Sequence, residues 1–246
     1  MTPRIVALHQ SLVLNYDVLE YPFQQILSEE VFRVPNLGAL HRVWKKQTGK
    51  VKLSYTDNLV LRKLMQQIPD DSVFYQVYHR WVAEVVAPHF GHRIRYAAHP
   101  KMRVHLAGTR SVSDFHRDAE VTGRPEQINC YLPFTDVFGS NTLWCENDYG
   151  EGNYRPLELR YGQALLWDGG MLEHGTYANQ TDHTRVSCDF RFHPKAPELV
   201  SPPWNSILNS RPKAKEDEAS TAHRITTNLG KTGNNPNDKK RRAGHL

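Results

Sequence analysis

The 246 residues carry 31 Lys and Arg against 26 Asp and Glu, a formal net charge of +5, and 39% of them are hydrophobic. No apolar run approaches the roughly eighteen residues of a membrane span, and three widely spaced cysteines without a C-x-x-C pair suggest neither a disulfide framework nor a thiolate zinc site. Nine of the basic and four of the acidic residues fall between Ser210 and Leu246, so the preceding part balances at 22 of each and gives no compositional sign of a phosphate-neutralising surface.

The stretch from Met1 to Asn15 lacks the charged, apolar, small-residue order of a secretory signal, and a cytoplasmic location is expected. The first ninety or so residues read as helical. Weak helical patterns run from Tyr21 to Phe32 and after Asn36, and a firmer one after Asp57 carries Leu61, Leu64, Met65 and Ile68 up to Pro69. Val73, Phe74, Val77, Tyr78, Trp81, Val82, Val85 and Val86 then place an apolar stripe on a helix opened by Asp70, Asp71 and Ser72, which Pro88 is expected to end.

From Arg95 the pattern changes to short runs of β-branched and aromatic residues separated by Gly, Asn, Asp and Pro. Strands are expected over Lys101–Leu106, Ser111–His116, Gln127–Phe134, Asn141–Glu146, Arg155–Leu159, Gln163–Trp167, Gly175–Ala178 and Thr184–His193. No helical run remains for parallel crossovers, so the fold class is mainly β with N-terminal helices: a jelly-roll barrel or sandwich flanked by α-helices. One domain is expected over 1–209, made of a helical flank (1–94), a β core (95–193) and a proline-rich arm (194–209). The region 210–246 reads as a disordered basic tail, because it has few apolar residues and no aromatic. Cys130, Cys145 and Cys188 read as small core residues.

His116-Arg117-Asp118 is uninformative alone; its context gives it weight. In an extended chain residues two apart share a face, so His116 and Asp118 both point one way, and His174 follows a strand and a glycine turn 56 positions after Asp118. Two imidazoles and one carboxylate form the facial triad of non-haem Fe(II) oxygenases, with open positions for a 2-oxo acid and dioxygen. The far carboxylate of a dicarboxylate co-substrate then needs a cation. Arg185, eleven residues after His174, offers a bidentate guanidinium, and Ser187 lies on the same strand face. In the run from Arg185 to Phe192 the odd positions are polar and the even ones apolar, as on a strand between a polar cavity and a packed layer.

The order His116-x-Asp118, His174, Arg185-x-Ser187 resembles the 2-oxoglutarate/Fe(II) oxygenase superfamily and its double-stranded β-helix. The runs Gln127–Asp136, Ser140–Glu146 and Thr184–Arg191 are similar to the oxygenase-like proteins of streptomycin biosynthesis and, more distantly, to the phytanoyl-CoA hydroxylase group. The resemblance covers Arg95 to Phe192. It implies a dioxygenase that uses Fe(II), 2-oxoglutarate and O2, with His116, Asp118 and His174 holding iron and Arg185 with Ser187 holding the distal carboxylate. It also implies hydroxylation, desaturation or ring closure of a small polar molecule, such as a sugar or aminoglycoside-like intermediate of antibiotic biosynthesis. Retention of Asp118 speaks against the halide position of related halogenases.

Further candidates each have an alternative reading. Asn129 reaches either the co-substrate carboxylate or a barrel partner. Arg103 and Arg191 meet either substrate or an ion-pair partner, and Trp144, Glu146 and Trp167 either shape a substrate pocket or pack in the core. Two other functions stand beside the oxygenase. The six-residue spacing of Arg185 and Arg191 with the basic tail fits a nucleic-acid alkylation-repair demethylase, against which the neutral body weighs. A barrel that binds a ligand without turnover leaves the full ligand set unexplained.

Overall fold

A computed structural model describes residues 11–92 and 94–194. The basic tail expected over 210–246 and all but the first residue of the arm expected over 194–209 lie outside these residues. The chain enters through a strand, β1 (Ser11–Asn15), where helix was expected. β1 pairs antiparallel with Gln163–Trp167, Ser11 opposite Trp167, and this partner about 150 residues away gives no signal in local periodicity. Helix α1 (Phe23–Ile26) runs on through a wider turn at Leu27–Phe32. Helix α2 (Leu40–Thr48) ends on Gly49 in the left-handed conformation, at φ +67°. Helix α3 (Tyr55–Gln66) starts on a capping box, with the Ser54 amide donating to Asp57 Oδ2 at 2.8 Å.

Helix α4 (Val73–Trp81) is capped by the Ser72 hydroxyl, which accepts from the Tyr75 amide. Its stripe of Phe74, Val77, Tyr78 and Trp81 is buried as the spacing requires. The chain stays helical past Pro88, through a wider turn at Val82–Val86 and a 3-10 turn at Ala87–Phe90. Pro88 sits in the first turn of that last segment, where no intrahelical N–H bond is lost, so Gly91 ends the helical run instead.

The remaining chain builds two antiparallel sheets. The strands are β2 (Ile94–Tyr96), β3 (Lys101–His105), β4 (Ile128–Pro133), β5 (Trp144–Glu146), β6 (Tyr154–Pro156), β7 (Gln163–Trp167), β8 (His174–Gly175) and β9 (Arg185–Pro194), with a short helix α5 (Asp118–Thr122) between β3 and β4. The larger sheet runs β1-β7-β4-β9-β2, with β3 also paired to β9; the smaller runs β6-β5-β8. Strand is absent from 111–115, where one was expected. That segment is held instead by the Thr176 hydroxyl, which accepts from the amides of Val112 and Ser113 at 3.0 Å each.

Alternation along the strands divides the interior. Val186, Cys188, Phe190 and Phe192 of β9, with Ile128, Cys130 and Leu132 of β4 and Ala164 and Leu166 of β7, join the helices in one core. Phe23 meets Phe74 and Phe134 there, at ring separations of 5.7 and 5.4 Å. The opposite faces contribute Tyr131, Leu165 and Trp167 to a second cluster with Cys145, Leu157 and Leu172. The polar face of β9 is therefore turned into the space between the sheets. All three cysteines are buried and free.

Candidate metal centre

His116 and His174 come together because they are backbone partners: each amide donates to the other's carbonyl at 3.0 Å. Their rings lie 4.7 Å apart. The pairing continues as the amides of Asp118 and Ala119 donate to the carbonyls of Gly169 and Gly170, at 3.0 and 3.1 Å. Asp118 does not extend a strand, as expected from alternation. It opens α5, and the turn rather than the pleat aims its carboxylate at the histidines.

The three side chains offer one donor atom each, all within 4.8 Å of one another. His116 Nδ1 lies 2.7 Å from the Asp114 carbonyl and His174 Nδ1 3.0 Å from the Leu172 carbonyl. A carbonyl only accepts, so each Nδ1 donates and each Nε2 keeps its lone pair for a metal. The carboxylate is divided in the same way. Asn129 Nδ2 and Arg191 Nε both donate to Asp118 Oδ2, at 2.5 and 2.9 Å, while Oδ1 faces His116 Nε2 at 3.5 Å. The donor set thus fits a divalent ion that takes imidazole and carboxylate, reached by small side-chain rotations.

Burial pushes the Asp118 carboxyl up, but the facing His116, the Asn129 hydrogen bond and the nearby His174 and Arg191 overcome this and hold it below the usual carboxylate range. The Asp118 carboxylate raises His116, whereas burial pushes His174 down. His174 is therefore poised as a neutral ligand.

Beside the triad, Arg185 is 1% exposed, and its Nε and Nη1 have no hydrogen-bond partner among the described residues; the buried Ser187 Oγ has none either. Isolated buried charges are costly, so a guanidinium in this state calls for an anion. Its strand partner His105 does not answer it. Burial, and then the Arg185 cation, push that imidazole down to about 3. Arg103 Nε donates to Asp189 Oδ1 at 2.8 Å at the cavity wall, which makes it an ion-pair residue. Asn129 Nδ2 donates one of its two hydrogens to Asp118. Arg191, six residues after Arg185, likewise braces Asp118.

Trp167 lines the same cavity, together with Tyr131 and Leu143. Trp144 and Glu146, expected as pocket residues, are not among its walls. Trp144 Nε1 donates to the Gly139 carbonyl at 2.9 Å, and the ring packs on Tyr177. The buried Glu146 carboxylate accepts from the Glu173 and Gly152 amides, at 2.9 and 3.1 Å, and from Arg117 Nη2. Arg117, the middle residue of the H-x-D run, has one local partner, Glu120, but the contacts that matter for the site lie 29 residues or more away, in Glu146 and Met171, and leave no signal in sequence. Tyr131, on β4, and Leu143, just before β5, carry no chemical signature in the sequence.

No family model matches the chain. Over 186 residues it is 29% identical to "Streptomycin biosynthesis protein StrG" of Streptomyces griseus, covering 74% of this chain and 84% of that one. The chain is similar to StrG over most of the length of both. Among solved structures, the chain is similar to "Non-heme monooxygenase, ThoJ-Ni complex", with a TM-score of 0.50 and 14% identity over 75% of this chain and 74% of that one. That likeness shows a shared fold. A weaker one, at a TM-score of 0.45 and 12% identity over 86% of this chain and 92% of the other, is to the "non-heme alpha ketoglutarate dependent carbocyclase SnoK from nogalamycin biosynthesis". No helix among the described residues is long and apolar enough to cross a membrane.

Proposed function

We propose that the protein is an Fe(II)- and 2-oxoglutarate-dependent oxygenase on a double-stranded β-helix, acting on a C–H bond of a small polar metabolite in antibiotic biosynthesis. The observation that carries this reading is the placing of an unpartnered buried guanidinium, Arg185, in the wall of the cavity that holds the two-histidine, one-carboxylate set. A structural scaffold has no use for either group.

In this reading His116, Asp118 and His174 hold iron, and Arg185 with Ser187 receives the distal carboxylate of 2-oxoglutarate. Bound iron supplies the redox centre at which dioxygen is reduced while 2-oxoglutarate loses CO2 and the substrate C–H is oxidised. The chain's own contribution is to position and to exclude water. Backbone carbonyls fix both imidazoles, Asn129 and Arg191 fix the carboxylate, and Trp167, Tyr131 and Leu143 wall the cavity. The free space among these side chains is about 20 Å³, so a five-carbon diacid enters only as the lining side chains part.

Similarity to StrG supports a biosynthetic role, and the likeness to a non-haem monooxygenase supports the fold. The test is decarboxylation of 2-oxoglutarate in air by iron-loaded protein without added substrate. Slow release of succinate and CO2 that stops on chelation supports the reading, and complete inertness of folded, iron-loaded protein overturns it.

A further inference from the structure

The polar face of β9 does not end at the metal cavity. Arg185, Ser187, Asp189, Arg191 and His193 alternate along it, and six residues of strand carry the line about 20 Å from Arg185 to Arg191. Antiparallel partners share a face, so the register adds Arg103 opposite Ser187, Lys101 opposite Asp189 and Arg95 opposite His193. Arg124, just past the end of α5, comes in from the other side. Arg95, Lys101, Arg124, Asp189, Arg191 and His193 line an open cleft of about 620 Å³, which shares Asp189 and Arg191 with the metal cavity. Clefts of this size hold small metabolites.

The charge of the cleft is one-sided. Arg95, Lys101, Arg124 and Arg191 line it against Glu126 and Asp189; Asp189 is already matched by Arg103 at 2.8 Å and Arg191 by Asp118 at 2.9 Å, which leaves three cations against Glu126. Arg95, Lys101 and Arg124 make no ion pair within 4.0 Å among the described residues, although surface cations with acidic neighbours commonly do. Burial, and then Arg191, push the Lys101 ammonium down, against the opposing pull of Asp189. A concave wall of one sign concentrates ligands of the other.

We propose that this cleft seats an anionic group, a phosphate or a carboxylate, borne by the substrate at the end remote from the carbon that is oxidised. This rests on the oxygenase reading for the word substrate, and on the cleft alone for the anion. It replaces a cationic, aminoglycoside-like occupant with a phosphorylated or acidic sugar or polyol, which Arg124, Lys101 and Arg95 hold by charge-assisted hydrogen bonds while its other end reaches past Arg191 toward Asp118.

The test is calorimetric titration of the full chain at low ionic strength with glucose 6-phosphate, glucuronate and glucose, repeated on an Arg95→Ala/Arg124→Ala variant. Both side chains are exposed, so the variant keeps its core. Saturable binding of one or both acidic sugars and none of glucose, weakened at least tenfold in the variant, supports the proposal, and the preferred sugar tells phosphate from carboxylate. Absence of saturable binding by either acidic sugar, or equal affinity in parent and variant, overturns it. Neither iron nor 2-oxoglutarate is needed, so the outcome is independent of whether the metal reading stands.

Discussion

Arg117 Nη2 lies 3.3 Å from the carboxylate of Glu146, and this pair joins the two segments that carry the metal ligands. Arg117 stands between His116 and Asp118. Glu146 in turn accepts from the amide of Glu173, the neighbour of His174, and Arg117 Nε donates to the Met171 carbonyl. Glu146→Gln is therefore expected to weaken metal binding by about tenfold, within the range usual for groups that orient ligands. Glu146→Ala, which also removes the acceptor of the Glu173 and Gly152 amides, is expected to cost about 1–2 kcal/mol of folding stability. Cobalt titration followed by urea melts of the same samples checks both, and metal affinity unchanged in the folded Gln variant contradicts the positioning role.

Gly169 is required where Asn129 approaches Asp118. A Cβ at Gly169 would lie 2.7 Å from the amide carbon and nitrogen of Asn129, closer than real contacts allow. Gly169→Ala is expected to push the amide off Asp118 and to weaken metal binding by about tenfold or more. Asn129→Ala should do the same by removing the donor. If both act through one hydrogen bond, the double variant binds metal little worse than either single variant, and full additivity in the titration contradicts the shared route.

Asp57 gives the flank a pH dependence. Burial pushes its carboxyl up, but Lys50, Trp44 and Ser54 outweigh it and hold the group well below the usual carboxylate range. A carboxyl depressed in the folded state contributes stability that is present above its unfolded value, about 3.9, and lost as pH falls below it. Asp57→Asn is expected to flatten the loss of stability below about pH 4, and Asp57→Ala to cost about 1–2 kcal/mol at neutral pH through loss of the cap interactions. Thermal melts from neutral pH downward check this; parallel curves for parent and Asp57→Asn contradict it.

Much of this arrangement was legible in the sequence, for local reasons. The stripe of α4 and the alternation of β9 are periodicities that burial imposes residue by residue, and they place Phe74 and Trp81 inside and Arg185 and Ser187 on the cavity face. What was not legible depends on distant partners. β1 is a strand because β7 pairs with it, and 111–115 is irregular because Thr176 holds it. Asp118 points correctly from a helix start rather than from a strand. Glu146 and Arg117 form a pair whose members look, in sequence, like any acid and any base, and nothing local shows that the Asn129 amide braces Asp118.

The joint placing of His174 and Arg185 is tested most directly by anaerobic absorption titration of the Fe(II)-loaded protein with 2-oxoglutarate, in the parent and in His174→Ala and Arg185→Ala. The parent should develop a saturable visible charge-transfer band, His174→Ala should fail to form it at matched iron, and Arg185→Ala should need at least tenfold more 2-oxoglutarate to reach it. A featureless spectrum from folded, iron-loaded parent, or a band formed equally well by all three proteins, would contradict the assignment of iron to His116, Asp118 and His174 and of the diacid to Arg185.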